Sequence, residues 1–584
     1  MAANGGGDIV NERAVRSQSD ALVGNSGNAG AIAMSTANGS IRNRNDVNAQ
    51  SSSQTGTAGN GGSVSIQATG DIENAGTFNT YSFSRDAQAA NGGAVSMAAT
   101  AGGSITNQDD IRSISASNGG DTGNGGDITL TAVGRGSIAN YGALNAQSLA
   151  NGSGENGGSA MGGGNITMTT EQGDITNRSL SAEANPDNND GSLNTRSVAR
   201  EGRTGNAGDI EVRSLTGNIV LNAYLDAKSY SLSGVAANGG GVTLVTEGGS
   251  ITSDRDRTNI ITSAVSSGSA DPVESFSITE GGDGGNVRLR SGQTISGFSL
   301  FTLSNVGQSG DVTFEGTGNL QIKDTQIVTN EEIVAGSFSF DENPLFPSNL
   351  STADIDREGI PITITTPTTG QPGDVLISSN GDLSAVNLQV SNDANSPADE
   401  SNADAGNIPL RSPTAIRLTN SRLATNTINT GTSGDITLAD ANTVVLNNAG
   451  LITNTAGLAP AGSIEIDGFN YLLMTNGSLL LADAQGAADG GTIEINSNLV
   501  VASPDGNNDI IVNASAGDGG AIFSPEATLY GFEQPQGLTT SDLRSRRSND
   551  ISASSESGQD GVVTLNAITI APLRAELEEL SEDI

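Results

Sequence analysis

The sequence predicts an all-β chain wound as a parallel β-helix, a β-solenoid with about 28–33 residues and three short strands per coil. Three observations predict it. A glycine-rich turn followed by an aliphatic, a polar and a second aliphatic residue recurs, as in GNAGAIAM (27–34), GNGGSVSI (59–66), ANGGAVSM (90–97), GNGGDITL (123–130) and GTSGDITL (431–438). The first aliphatics keep a period: Ile32, Val64, Val95 and Ile128 are 32, 31 and 33 residues apart, and Val375, Ile408, Ile436, Ile464 and Ile493 are 33, 28, 28 and 29 apart. Within a period the alternation is two-residue, with Gly, Asn or Asp between segments and no helical spacing.

Each element of that prediction has a physical reason. In GDITLADANTVVLNNAGLITNTAGLAPA (434–461), Ile436 and Leu438, Val444 and Leu446, and Leu451 with Thr453 supply the three strands. One coil cannot bury its inward aliphatics, whereas coils stacked about 4.8 Å apart pair every strand above and below and share a narrow core. Val, Ile and Leu suit that core and large aromatics are expected to be excluded; Gly and Asn suit the corners. The composition agrees, with 79 Gly, 34% apolar and 3% aromatic residues, too few bulky side chains for a large globular core. Low hydrophobicity with high net charge also marks disorder, but disordered chains have no reason to keep a period.

The same composition excludes chemistry. Without Cys or His there is no disulfide framework, no N/S zinc site, no haem axial His and no Ser-His-Asp or Cys-His pair, so catalysis would rest on carboxylates. Sixty-five acidic against 26 basic residues give a net charge of -39, which repels nucleic acid and anionic membranes. No run of 18 apolar residues encodes a membrane-spanning helix, and MAANGGGDIV lacks the basic and apolar regions of a signal peptide. The chain opens within a repeat.

Breaks in the period divide the chain. Residues 1–326 form N-terminal Gly/Asn-rich coils, 327–372 an insertion loop or β-arm containing DENPLFPSNL and PITITTPTT, and 373–570 the C-terminal coils. Within the latter, 533–550 is a second insertion with a dense basic cluster, Arg544, Arg546 and Arg547. Residues 571–584 form an acidic tail or a short capping helix, with Leu573, Leu577 and Leu580 at helical spacing.

Two columns of polar residues are candidates for more than packing. Asn43, Asn74, Asn107, Asn140 and Asn177 end the second strand of successive coils, at spacings of 31, 33, 33 and 37. Stacked Asn side chains hydrogen-bond along the rod, and a surface array for glycans is the functional alternative. Asp127, Asp209, Asp311, Asp374 and Asp435, with Asp8, stand just before a strand, where an Asp caps the turn backbone or, in a row, offers weak oxygen ligands to Ca²⁺. GGDGGNVRL (281–289) approaches the calcium-binding nonapeptide but has Asn286 for its Asp, so no specific cofactor is expected and Ca²⁺ would bind only diffusely. Asp109, Asp110 and Lys323 faintly resemble polygalacturonase motifs, yet lie some six or seven coils apart. Thr106, Thr176, Thr252 and Thr453 are too irregular for an ice-binding lattice.

The stretch LYGFEQPQGLTTSDLRSRRSNDISASSESGQDGVVTLNAITIAPLRAELEEL (529–580), preceded by GDITL…NAGLITNTAG coils, resembles the C-terminal part of filamentous-haemagglutinin-like exoproteins of the two-partner secretion class, especially the large cyanobacterial ones. The resemblance covers residues 370–580 best. It implies a right-handed β-helical rod at the cell surface of a Gram-negative bacterium, adhering to glycans or proteins of other cells or matrix, with no catalytic residues. The family's N-terminal secretion domain, which engages an outer-membrane transporter, has no counterpart in the sequence. The expected function is therefore structural and adhesive, without catalysis; a β-helical carbohydrate-active enzyme or its inactive remnant is the alternative.

Overall fold

Among the described residues of the computed structural model, seventeen strands, from Ala2–Ala3 to Val562–Thr569, stack in parallel on the first face. The structure describes residues 1–3, 6–152, 157–178, 191–232, 234–253, 258–266, 281–329, 370–394, 403–428, 430–504 and 506–569. The aliphatic after each glycine turn sets the register: Val64 pairs with Ile32 below and Val95 above, followed by Ile128, Ile166 and Ile210. A slip of one residue would turn every inward aliphatic to solvent, so this register is strongly specified. At about 4.8 Å per level the stack is a rod of roughly 80 Å.

The second face is narrower. Ile41–Asn43, Ile72–Asn74 and Ile105–Asn107 stack there, each with its middle residue outward. On the third face the N-terminal coils carry two pieces where the sequence predicted one strand, for example Val47–Asn48 and Ser51–Ser53. The break falls where the carbonyls of Ala49, Thr80 and Ser113 leave the ladder and accept the amides of Gly62, Gly93 and Gly126 across the coil, at 2.8, 2.5 and 2.8 Å. C-terminal coils fuse other pieces instead, the first and second faces becoming the single strand Ile436–Asn447.

Inward side chains from all three faces form one core from Ile32 to Ala553. A buried Ile, Leu or Val contributes about 1.5–3 kcal/mol relative to exposure, which is why thin coils are stable only as a stack. The expectation that large aromatics are excluded is corrected, because Phe78, Phe298, Phe314 and Phe532 are fully buried. Two of them have aliphatic ladder partners: Phe78 pairs with Val47 and Ile111, and Phe314 with Leu289 and Ile377. The glycines of the turn column are there for closeness, since a Cβ on Gly93 would sit 2.2 Å from the Gly62 carbonyl oxygen.

The long insertion is narrower than 327–372. Gln326–Thr329 is a third-face strand with Ile327 wholly buried, and Gln371 bridges to Gln308, so the chain is in the ladder on both sides of 330–369. The Pro-rich segments and the predicted capping helix at 571–584 lie outside the described residues.

Candidate functional site: a strapped groove

The asparagines form an internal hydrogen-bonded ladder. Asn43 Nδ2 donates to Asn74 Oδ1, Asn74 to Asn107 and Asn107 to Asn140, each at 2.7 Å, and Asn140 to Asn177 at 2.6 Å. The second amide hydrogen goes to a carbonyl two residues on, that of Asn45, Gly76, Asp109 or Gly142. Asn11, missed in the sequence although DIVN (8–11) has the same form, donates to Asn43 at 2.6 Å and starts the ladder. At 0–1% exposure Asn43 to Asn177 cannot present a surface array to glycans.

The turn aspartates are committed to the backbone of the coil above. Oδ1 of Asp127 accepts the Asn165 amide at 2.8 Å, that of Asp209 the Gly241 amide at 2.8 Å, and that of Asp311 the Asp374 amide at 2.9 Å. Asp374 likewise takes Asn407 N and Asp435 takes Ser463 N. Asn165, Asn286 and Asn407 occupy intervening levels of the same column and do the same, which dilutes its charge. Asp8 is corrected to a different corner: it precedes the second-face strand Ile9–Asn11 and accepts Ser40 N. Among the described residues no three or more acidic groups converge as metal ligands.

Other carboxylates singled out in the sequence stay apart. Asp110 pairs with Arg112 at 2.8 Å and caps Ala143 N, whereas Lys323 stands six levels higher, roughly 29 Å along the rod. Paired carboxyl chemistry needs about 5–9.5 Å. Thr106, Thr176 and Thr252 share one column with Ala139 and Val220 between them, and Thr453 is buried on the third face.

The geometry that could hold a ligand is built by the second insertion. Residues 533–550 lie across the outside of the third face as a strap, with one short helix, α1 (Thr540–Ser545). Thr539 caps it by accepting Asp542 N at 3.1 Å, while the Asp542 carboxylate accepts Thr539 N at 3.2 Å, a reciprocal box visible in the sequence as TTSD. Leu543, fully buried, packs with Ile452, Leu481 and Ile511, apolar residues that an uncovered face would expose. Arg544 Nη1 binds the wholly buried Asp509 carboxylate at 2.5 Å and the Asn507 carbonyl at 3.0 Å. Arg546 binds Glu533 at 2.9 Å and lies 3.7 Å from Asp550. Arg544 thus fastens the strap to the face, Arg546 joins the strap's two ends, and Arg547 is exposed.

Between strap and face lies a cavity of about 420 Å³. Asp483, Asn513 and Ser554 come from successive coils, and Leu538, Thr539 and Thr540 from the strap. Asp483 is 7% exposed, and burial pushes its carboxyl up to about 6; the Thr540 hydroxyl opposes the shift and the neighbouring Glu556 adds to it. Burial also raises Asp509, opposed by the Asp550 amide and Arg544. Asn513 ties the two walls together, its Nδ2 reaching Leu538 O at 3.4 Å and Thr540 Oγ1 at 3.3 Å, while its Oδ1 accepts Ser554 N at 2.8 Å. Among the described residues no aromatic lines the cavity. Compared with protein-family models, curated proteins and solved structures, the chain matches none.

Proposed function

We propose that the chain is an extended adhesive rod of a cell surface or extracellular matrix, structural in its work and not catalytic. The observation that carries this reading is the ladder itself, a stack of 17 levels on one continuous core whose turn carboxylates and asparagines are spent on holding coil to coil. Such a rod gives reach and stiffness without chemistry, and its strapped groove supplies a recessed contact for surface glycans. The resemblance to filamentous-haemagglutinin-like exoproteins supports the same reading, with display on a Gram-negative cell through an outer-membrane transporter. Purified rod should be retained on glycan-coated or cell-coated surfaces under flow; no retention on any of them overturns the proposal.

One observation favours the alternative of a carbohydrate-active enzyme. Asp483, held at about 6, and Glu556 line one groove from coils two levels apart, and an elevated carboxyl facing a second carboxylate across room for a water is the arrangement that inverting glycoside hydrolysis uses. A reducing-end assay across polysaccharides separates the two: turnover abolished by Asp483→Asn replaces the adhesive rod with an enzyme.

A further inference from the structure

We propose that the strapped groove binds a cationic amino-sugar chain, its ammonium groups held by Asp483 and Glu556 and its hydroxyls by the surrounding amides and hydroxyls. This rests on the adhesive reading and names the ligand class for it. The lining selects a polyol: Gln485, Asn513, Ser515, Thr539, Ser554 and Ser555 offer both donors and acceptors. Among the described residues, Leu538 and Ala514 are the apolar side chains of the lining. Asp509–Ile511 beneath the strap offers a peptide no strand edge to extend, since it is paired on both sides, with Leu479–Leu481 and with Ile551 and Ser552.

Charge selects the cation. The charged groups facing the cavity are Asp483, Glu556 and Arg544. Arg544 is neutralised by the wholly buried Asp509 behind it, so the two remaining acids set the sign. The chain's net charge of -39 adds a long-range field that repels uronate polymers and draws polycations. With no aromatic platform among the described residues, a neutral sugar would have hydrogen bonds alone, which exchange nearly evenly with water; ammonium–carboxylate bonds in a recess are stronger. Asp483 and Glu556 sit two levels apart, about 10 Å along the rod, so a chain lying lengthwise meets both.

The test is calorimetric titration of the full chain with a glucosamine hexamer at pH 6, where most of its amines are protonated, beside the fully N-acetylated hexamer and hexalysine. The expected result is binding of the glucosamine hexamer at least tenfold tighter than either comparator. Asp483→Asn should weaken it tenfold or more, and the exposed Glu556→Gln several-fold. Asn keeps the hydrogen bond to Thr540, and undiminished tryptic protection of the strap would show that it stays docked. At pH 6 binding should release protons from Asp483, read as a buffer-dependent heat that Asp483→Asn removes. Equal binding of the acetylated hexamer, equal or tighter binding of hexalysine, or wild-type affinity in both variants overturns the proposal. Surface retention of Asp483→Asn rod separates this from the adhesive reading: retention intact removes the groove and keeps adhesion, whereas hexamer binding without retention of wild-type rod keeps the groove and removes adhesion.

Discussion

One corner of the coil, between the second and third faces, is built differently in the two halves of the rod. From Asn11 to Asn177 the residue there is an asparagine pointing inward, buried, and bonded to the asparagines of neighbouring coils. The column then passes through Leu221, wholly buried, to Gly297 with φ of 79°. Beyond it stand Asp324, Asn387, Asn420, Asn448 and Asn476, exposed and left-handed at φ of 48°, 56°, 48°, 49° and 56°. Their place in the column follows from the ladder, each lying one residue past the paired Lys323, Val386, Thr419, Asn447 and Thr475.

The two halves teach that Asn is enriched for two unrelated reasons. In the first half the amide matters, because its two donors and one carbonyl satisfy a corner shut off from solvent by burial. In the second half the backbone matters, because Asn tolerates left-handed φ better than other residues with a side chain, and Gly297 and Asp324 serve equally. Side chains of the second kind still touch, Asn387 Nδ2 meeting Asp324 Oδ1 at 2.7 Å and Asn448 meeting Asn420 at 3.0 Å, but in solvent. Such contacts are worth little net.

The sharpest way to break the comparison is to give each half an aspartate. Asn107→Asp removes the donors that serve Asn140 Oδ1 and the Asp109 carbonyl, and buries a charge among acceptors. A loss of about 3–5 kcal/mol is expected at pH 7, read by chemical denaturation. The folded-state pKa of the introduced carboxyl would lie above its unfolded value, so the loss is complete above the folded pKa and shrinks as pH falls through it. Asn420→Asp should be nearly neutral, since Asp324 already occupies that column. Equal losses at the two sites would refute the two-origin account.

A native buried carboxylate gives the next effect. Asp483, raised from 3.8 to about 6, favours the folded state in its protonated form. The strap should therefore tighten as pH falls from 7 towards 4, the gain being complete below the unfolded value. Asp483→Asn should remove that slope and leave the strap tighter at pH 7, measured as hydrogen-exchange protection of α1 against pH. An unchanged slope in the variant would place the proton elsewhere.

Much of this was legible in the sequence, for particular reasons. The aliphatic after each glycine turn, Ile32 through Ile493, is visible because a stacked core demands one residue type at one period. Asn43 to Asn177 are visible because a ladder repeats its members. The second origin of Asn was hidden: φ leaves no composition mark that separates Asn420 from Asn107, and only the residue preceding each, Thr in both, could be compared. The strap was seen as an insertion, but not its docking. The apolar residues it covers, Ile452, Leu481 and Ile511, belong to runs such as SLLLA that look like a strand buried by the core alone. Their outward burial depends on Leu543, some 30 to 90 residues later in the chain, which no local pattern connects to them.

Truncation to alanine and glycine separates the halves more finely. Asn107→Ala leaves Asn74 without its acceptor and Asn140 without its donor, each buried, and should cost about 2–3 kcal/mol. Asn420→Ala loses no buried bond and meets only the left-handed penalty, about 1 kcal/mol. Asn420→Gly relieves even that while loosening the unfolded chain, so its net effect should lie within about 0.5 kcal/mol of zero. At Asn107, whose φ is not positive, the same glycine brings no relief and adds its entropy to the lost hydrogen bonds, so it should be worse than alanine. The order of Gly and Ala thus reverses between two asparagines of one column, and a pair of denaturation series read at the same pH measures it. If glycine ranks below alanine at both sites, the left-handed corner is not what selects Asn in the C-terminal coils.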